Sequence, residues 1–240
     1  MSIIYVGGQT AAGPSTNLPL TVTFALTGGT DAAPLAGDLV VVTLGLNYAA
    51  ASIEGVIQNA SAVDYTLAAT NYGADVDDCT IRVAYRFMPG TPETSCVLDD
   101  ASATNRYAYT IHVYRNVDTS SPMDTAAVSA NGANTALADP PAITPVTAGA
   151  WIQASGVGAK GSGNGLFTSA ELTAFLSSVH STLSRAVVGS GYYTGWSSGA
   201  FNPAAFVYGG TDSTDSSWAA VTLALRPASS GGGLFFGSNF

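Results

Sequence analysis

The sequence predicts an all-β protein: an antiparallel β-sandwich, jelly-roll-like, in a single domain. Three observations lead there. Apolar and polar residues alternate with a period of two in several separate runs, and clusters of Gly, Pro, Asn and Asp punctuate those runs. The 240 residues are 47% hydrophobic and only 10% charged, the balance of a chain that buries one substantial core and the reverse of a disordered one.

The elements follow in chain order. LTVTFAL at 20–26 and DLVVVTLGLN at 38–47 read as strands separated by the turn cluster GGTDAAPLAGD. In TIRVAYRFM at 80–88, Ile81, Val83, Tyr85 and Phe87 share one face while Thr80, Arg82, Ala84, Arg86 and Met88 share the other, which predicts a half-buried strand. RYAYTIHVYR repeats the pattern, with Tyr107, Tyr109, Ile111 and Val113 inward and Arg106, Thr110 and His112 pointing away. AWIQASGVGA at 150–159 adds a further strand. FTSAELTAFLSSVHSTL departs from the period: Leu172, Phe175, Leu176 and Val179 fall at i, i+3, i+4 and i+7, and Thr168 with Glu171 makes a capping box. That spacing predicts one short helix over 169–180, although the Ser and Thr content also suits a loop and a strand. SWAAVTLALRP at 217–227 closes the set, because Pro227 cannot donate to a strand ladder.

The domain therefore spans 1–227, and 228–240 is a different object. ASSGGG supplies a Gly/Ser tether, and LFFGSNF carries Leu234, Phe235, Phe236 and Phe240 as the adhesive end of an extended C-terminal arm, with folding back over an edge of its own sandwich as the alternative.

Charge excludes some partners. Sixteen acidic residues against seven basic ones give a net charge of -9, and the basic residues, Lys160 and six scattered arginines, form no cluster. Nucleic acid and anionic membrane surfaces demand such clusters, so neither is an expected partner. MSIIYVGGQT has no basic n-region and the apolar run LVVVTLGL is too short to span a bilayer, which predicts a chain made in a cytoplasm with no membrane insertion. Cys79 and Cys96 lack C-x-x-C spacing for zinc and are expected as free buried thiols, with pairing across a hairpin as the alternative.

Catalytic patterns are weak. Gly195-Trp196-Ser197-Ser198-Gly199 fits G-x-S-x-G, but both histidines, His112 and His180, precede it, and Pro203 follows too soon for the helix a nucleophile elbow needs. Asp75, Asp77 and Asp78 in GADVDD lack the Gly and bidentate Glu positions of a calcium loop. Asp99 and Asp100 are adjacent and on a strand would face opposite ways, and Lys160 sits in no P-loop. The expectation is a non-enzyme without cofactor or metal site. Arg115, at a strand end, is expected to fix the following turn by pairing with Asp118 or Asp124.

Aromatic residues concentrate in GYYTGWSSGAFNPAAFVYGG at 191–210, where Tyr192, Tyr193, Trp196 and Tyr208 are candidates for stacking on a sugar ring, with core packing as the alternative.

Two stretches carry a resemblance. HVYRNVDTSSPMD at 112–124 and SWAAVTLALRP at 217–227 resemble all-β virion proteins encoded among the structural genes of tailed bacteriophages and related prophages. There an Arg-x-x-Asp turn precedes a Pro-x-Asp step, and a Trp-to-Leu-Ala-Leu-Arg-Pro strand closes the domain. The resemblance covers about 20–227 and implies a virion subunit, tail- or fibre-associated, released from the host cytoplasm by lysis. It also implies other virion subunits and further copies of the chain as partners. The alternatives are a capsid decoration protein and a carbohydrate-binding module that reads a host-surface glycan.

Overall fold

A computed structural model describes residues 1–13, 18–47, 56–99, 106–133, 137–160, 165–180, 185–210 and 216–229. They form fifteen strands and no helix. In chain order these are β1 (Ile4–Gly13), β2 (Leu20–Thr23), β3 (Leu39–Asn47), β4 (Val56–Asn59), β5 (Thr66–Gly73), β6 (Cys79–Phe87), β7 (Ser95–Asp99) and β8 (Arg106–Arg115). There follow β9 (Val128–Ala133), β10 (Trp151–Lys160), β11 (Phe167–Thr168), β12 (Thr173–Val179), β13 (Arg185–Tyr193), β14 (Val207–Tyr208) and β15 (Ser217–Leu225).

The strands assemble into stacked antiparallel sheets. A central sheet runs β1-β8-β3-β6-β5, a second five-stranded sheet runs β12-β13-β10-β15-β9, and a smaller one runs β2-β7-β4. One face of the central sheet packs Val40, Val42, Leu44, Leu46, Tyr107 and Ile111 against Val22, Ile57, Cys96 and Leu98 of the small sheet. The other face packs Leu39, Val41, Ile81, Val83 and Tyr114 against Val157, Tyr192, Ala219, Val221 and Leu223 of the second sheet. The two large sheets also meet at their edges. Ser178 Oγ of β12 donates to the Ala11 carbonyl of β1 at 2.9 Å, and Asn131 Nδ2 of β9 donates to Asn71 Oδ1 of β5 at 3.0 Å. Pairing edge with edge hides backbone groups that would otherwise invite another strand.

This stacking alters the expectation for 80–88 and 106–115. The strand at 106–115 is buried on both faces, and so is the first half of 80–88, whose Arg82, Tyr85, Arg86 and Phe87 stay half-buried: Thr80, Ala84, Thr110 and His112 are each within 1% of complete burial. The sequence carries the reason in LVVVTLGL of β3, a continuous apolar run of the kind that fills a strand covered on both sides. On its neighbours the second covered face is written in Thr80, Ala84, Thr110 and His112, residues small or polar enough to read as solvent-facing.

The helix expected over 169–180 is not present. Ser169 Oγ accepts the backbone N–H groups of Glu171 and Leu172, forming a turn, and β12 then pairs with β13 as an edge strand. Its register slips between Thr173↔Tyr192 and Leu176↔Ser190, and Ala174 takes a left-handed φ of 45°. This β-bulge places one extra residue in the strand and breaks its alternation. A period of two interrupted by one residue imitates i, i+3, i+4 spacing.

Arg115 pairs with neither Asp118 nor Asp124. Its Nε lies 2.8 Å from Asp38 Oδ1 and its Nη2 3.0 Å from Asp31 Oδ2, so it ties the end of β8 to the loop before β3. Both cysteines are free and buried, as expected. They lie on opposite sides of the central sheet, Cys79 against the second sheet and Cys96 within the small one, which rules out a hairpin pairing. Burial pushes both thiols up to about 12, so neither is a ready nucleophile.

Candidate functional site

The aromatic stretch 191–210 begins on β13, and strand geometry divides it at once. Successive side chains point to opposite faces, so Tyr192 and Tyr193 cannot share a platform. Tyr192 turns inward and is 7% exposed. It stacks on Trp151 at 4.8 Å between centroids, lies 5.0 Å from Tyr5 and meets Tyr114 edge-on at 5.9 Å. Burial raises its hydroxyl pKa. Tyr193 turns to the outer face of the second sheet and stacks on Phe201, 4.3 Å away and 17° from parallel.

The chain leaves β13 as an irregular segment that folds back over that outer face. Ile143 and Phe201 exchange backbone hydrogen bonds at 2.9 and 2.8 Å, and the half-buried rings of Tyr193, Trp196 and Phe201 close around Ile143, Ile152 and Ala224. Trp196 Nε1 donates to the Gly199 carbonyl at 2.8 Å, which holds the indole over its own loop. Tyr208, on β14, is buried beside Phe167 and Phe206, and its hydroxyl accepts from the Gly165 N–H at 3.2 Å. Of the four candidate glycan residues, Tyr192 and Tyr208 thus lie in cores, while Tyr193 and Trp196 share a partly exposed patch with Phe201. Ser197 and Ser198 of the G-x-S-x-G match are exposed, with no strand leading directly into them and no helix after. The four arm residues Leu234, Phe235, Phe236 and Phe240 lie outside the described residues.

Sequence reasoning missed a groove on the flank where the two large sheets meet. It has a volume of about 440 Å³ and is lined by Thr10 of β1, Phe175, Leu176 and Ser177 of β12, and Leu166 to Ser169 around β11. Glycines behind it let two of its walls sit close to the sheets. A Cβ at Gly8 would fall 2.7 Å from Leu176 Cδ1, and one at Gly189 would fall 2.8 Å from the Phe175 ring. The absence of those side chains lets both apolar groups settle against the sheet. The only sequence trace was the mis-phased Leu172–Val179 pattern.

Ionisable groups serve the fold. Asp124, with a side chain fully buried, accepts the Val146 and Thr147 backbone N–H groups at 2.5 and 2.9 Å and pairs with Arg226 Nε at 3.1 Å. Burial pushes its carboxyl up, but those hydrogen bonds and the guanidinium outweigh it and hold the pKa low. Arg86 pairs with Glu93 at 2.9 Å, and Asp78 accepts from Tyr72 OH and from the Asp75 N–H. Among the described residues no cluster of three or more His, Cys, Asp or Glu side chains is placed to hold a metal ion. No protein-family model, no curated protein and no solved structure matches this chain.

Proposed function

We propose that this chain is a non-enzymatic structural subunit of a tailed-bacteriophage virion, tail- or fibre-associated, that assembles through its stacked β body and its 231–240 segment. One observation carries the reading: the two stretches that resemble phage virion proteins are locked together in space. Asp118 N donates to the Arg226 carbonyl at 2.9 Å, Arg226 N to the Pro122 carbonyl at 2.9 Å and Asp124 N to the Ala224 carbonyl at 2.8 Å. Bridges join Val117 to Pro227 and Met123 to Leu225, and the Arg226–Asp124 ion pair completes the junction. The similarity therefore falls on one packed structural unit.

Two further features support it. Both faces of the central sheet are covered, which makes a rigid module, and the described ion pairs brace that module rather than line a cleft. Apolar Leu234, Phe235, Phe236 and Phe240 beyond a glycine tether suit a contact with a neighbouring subunit. Mass spectrometry and antibody labelling of purified particles test the proposal: the chain is expected in stoichiometric amount at the tail. Its absence from intact particles overturns the reading, and labelling of the capsid shell would favour the decoration role.

A further inference from the structure

Thr43 of β3 and Ser155 of β10 touch across the middle of the molecule, Thr43 Oγ1 donating to Ser155 Oγ at 3.0 Å. They also hold the same place in their own sheets, because the two five-stranded sheets share one topology. The central sheet runs β1-β8-β3-β6-β5, and the second, followed from its other edge, runs β9-β15-β10-β13-β12. The covering layer repeats as well. β4 pairs with β7, and β11 with β14, each inserted between corresponding long strands, so that buried Ile57 faces Leu98 and buried Phe167 faces Tyr208. Where Val22 of β2 pairs with Cys96 of β7, the Ala138 carbonyl accepts from Phe206 N at 2.8 Å. We propose that the chain is two tandem copies of one β unit, 1–118 and 119–227. The face buried between the large sheets is then a copy-to-copy docking surface, and one polypeptide is a fused dimer with a twofold axis beside Thr43 and Ser155.

Local details repeat in the same register. Gly37 before β3 and Gly149 before β10 are separated by the same 112 positions as Thr43 and Ser155, and their left-handed φ values are 83° and 81°. Around them Asp38 N donates to the Leu35 carbonyl and Ala150 N to the Thr147 carbonyl, both at 3.1 Å. Tyr107, Ala108 and Arg115 have the spacing of Trp218, Ala219 and Arg226. Arg115 Nε donates to Asp38 Oδ1 while Asp38 Oδ2 accepts the Leu35 N–H. Arg226 Nε donates to Asp124 Oδ1 while Asp124 Oδ2 accepts the Thr147 N–H. The carboxylate comes from a different point in the chain and performs the same task. Both β5 and β12 carry one bulge, immediately before the pairs Ala69↔Val83 and Leu176↔Ser190. Bulges persist within a fold family, which makes the shared one a mark of common descent.

A twofold contact is self-complementary: where residue i of one copy meets j of the other, j meets i in return, and only residues on the axis meet their own counterparts. Both signatures are present. Thr43 meets Ser155, and Gly45 meets its counterpart Val157, whose Cγ2 would stand 2.7 Å from a Cβ at position 45. Away from the axis the contacts come in pairs. β12 reaches β1 through Ser178 on the Ala11 carbonyl, and β9 reaches β5 through Asn131 on Asn71. Ser178 and Asn71 each lie two residues beyond the first pair after their bulge. Each chain thus carries the outward features of the unit twice, on flanks half a revolution apart, and in an assembly fills two equivalent places. This duplication holds whether or not the chain belongs to a virion.

Exchanging the axis pair tests the symmetry in the full-length chain. Gly45→Val alone overpacks the interface and Val157→Gly alone hollows it, so each is expected to lower the melting temperature by about 5 to 10 °C. Across a twofold axis the exchange returns the same two residues to the same place. Gly45→Val combined with Val157→Gly is therefore expected to recover to within about 3 °C of the parent, whereas losses that add, to about 10 to 20 °C, overturn the axis. Single-molecule extension of the unaltered chain, held at its two ends, reads the units directly. Two release steps of about 35 to 40 nm each are expected, at about 3.4 Å per residue, and one step of about 70 to 80 nm overturns the division into two units.

Discussion

His112 Nε2 lies 2.7 Å from Ser190 Oγ across the interface of the two five-stranded sheets, and Ser190 Oγ lies 2.6 Å from Thr110 Oγ1. Beside them Thr43 Oγ1 donates to Ser155 Oγ at 3.0 Å and Tyr114 OH to Gln153 Oε1 at 3.0 Å. A belt of hydroxyls thus crosses an otherwise apolar interface. His112 Nδ1 is buried without a partner, which assigns the proton to Nε2, because a bare ring nitrogen costs less in an apolar site than an unpaired N–H. The Ser–His contact is sealed from solvent and holds the sheets in register.

The first prediction concerns pH. Burial lowers the His112 pKa from 6.5 to about 4, so between those values the unfolded chain binds the proton and the folded one does not. The His112 contribution is therefore expected to fall as pH drops from 6.5 towards 4 and to level off below, by about 3 kcal/mol in all at about 1.4 kcal/mol per unit, while Asp124, held low, loses its own contribution only at more acid pH. Calorimetric melting across this range should show the slope, and His112→Gln should flatten it. An unchanged slope would assign it to other groups.

The second concerns the junction between 112–124 and 217–227. Asp124→Ala leaves the Val146 and Thr147 N–H groups and the Arg226 guanidinium without their acceptor. A loss of about 3 kcal/mol is expected in urea unfolding, because buried donors left unpaired bear their full desolvation cost.

Close approach at the β5 edge gives the third. A Cβ at Gly73 would stand 2.4 Å from the Trp218 carbonyl oxygen, a backbone atom that cannot rotate away. Gly73→Ala is expected to lower stability by about 2 kcal/mol or more, measured by thermal melting, since overpacking forces the two sheets apart. Gly90→Ala, where a Cβ meets nothing within 4 Å, should leave it nearly unchanged.

Trp196 supplies the fourth. Its indole packs beside Tyr193 and Phe201 and donates to Gly199, so Trp196→Ala is expected to cost about 1 to 3 kcal/mol in stability and to leave glycan-array binding at background before and after. Glycan binding that Trp196→Ala abolishes without a change in melting temperature would instead establish a sugar platform.

Much of the fold was legible in the residues. Period-two runs at 80–88, 106–115 and 217–225 are strands in the structure, and Pro227 stops the last of them. The buried free state of Cys79 and Cys96 was the expected one, although pairing across a hairpin stayed open until the structure set them on opposite sides of the central sheet. The second covered face of β6 and β8 was not, because Thr110 and His112 have the same letters whether they meet water or Ser190 of the second sheet, and Thr80 whether it meets water or a packed interior. Nor was the bulge at Ala174, whose extra residue shifts the phase of β12 into a helical disguise. At the candidate site, the sequence offered four rings in one stretch, and the alternation of β13 and the return of β14 separate them into two buried and two partly exposed.

By itself the sequence determined the class of the protein: all-β, weakly charged, with period-two strands, glycine-rich turns and an apolar segment beyond a tether. These are local properties, set by side-chain alternation and backbone preference, and they survive without knowledge of any neighbour. Only the tertiary structure decided that three sheets stack rather than two, that Arg115 pairs with Asp38 and Asp31, and that Gly8 and Gly189 let Leu176 and Phe175 pack onto the sheets. Each of those depends on which distant residue arrives opposite, and contacts between residues far apart in the chain are fixed by packing the whole core at once.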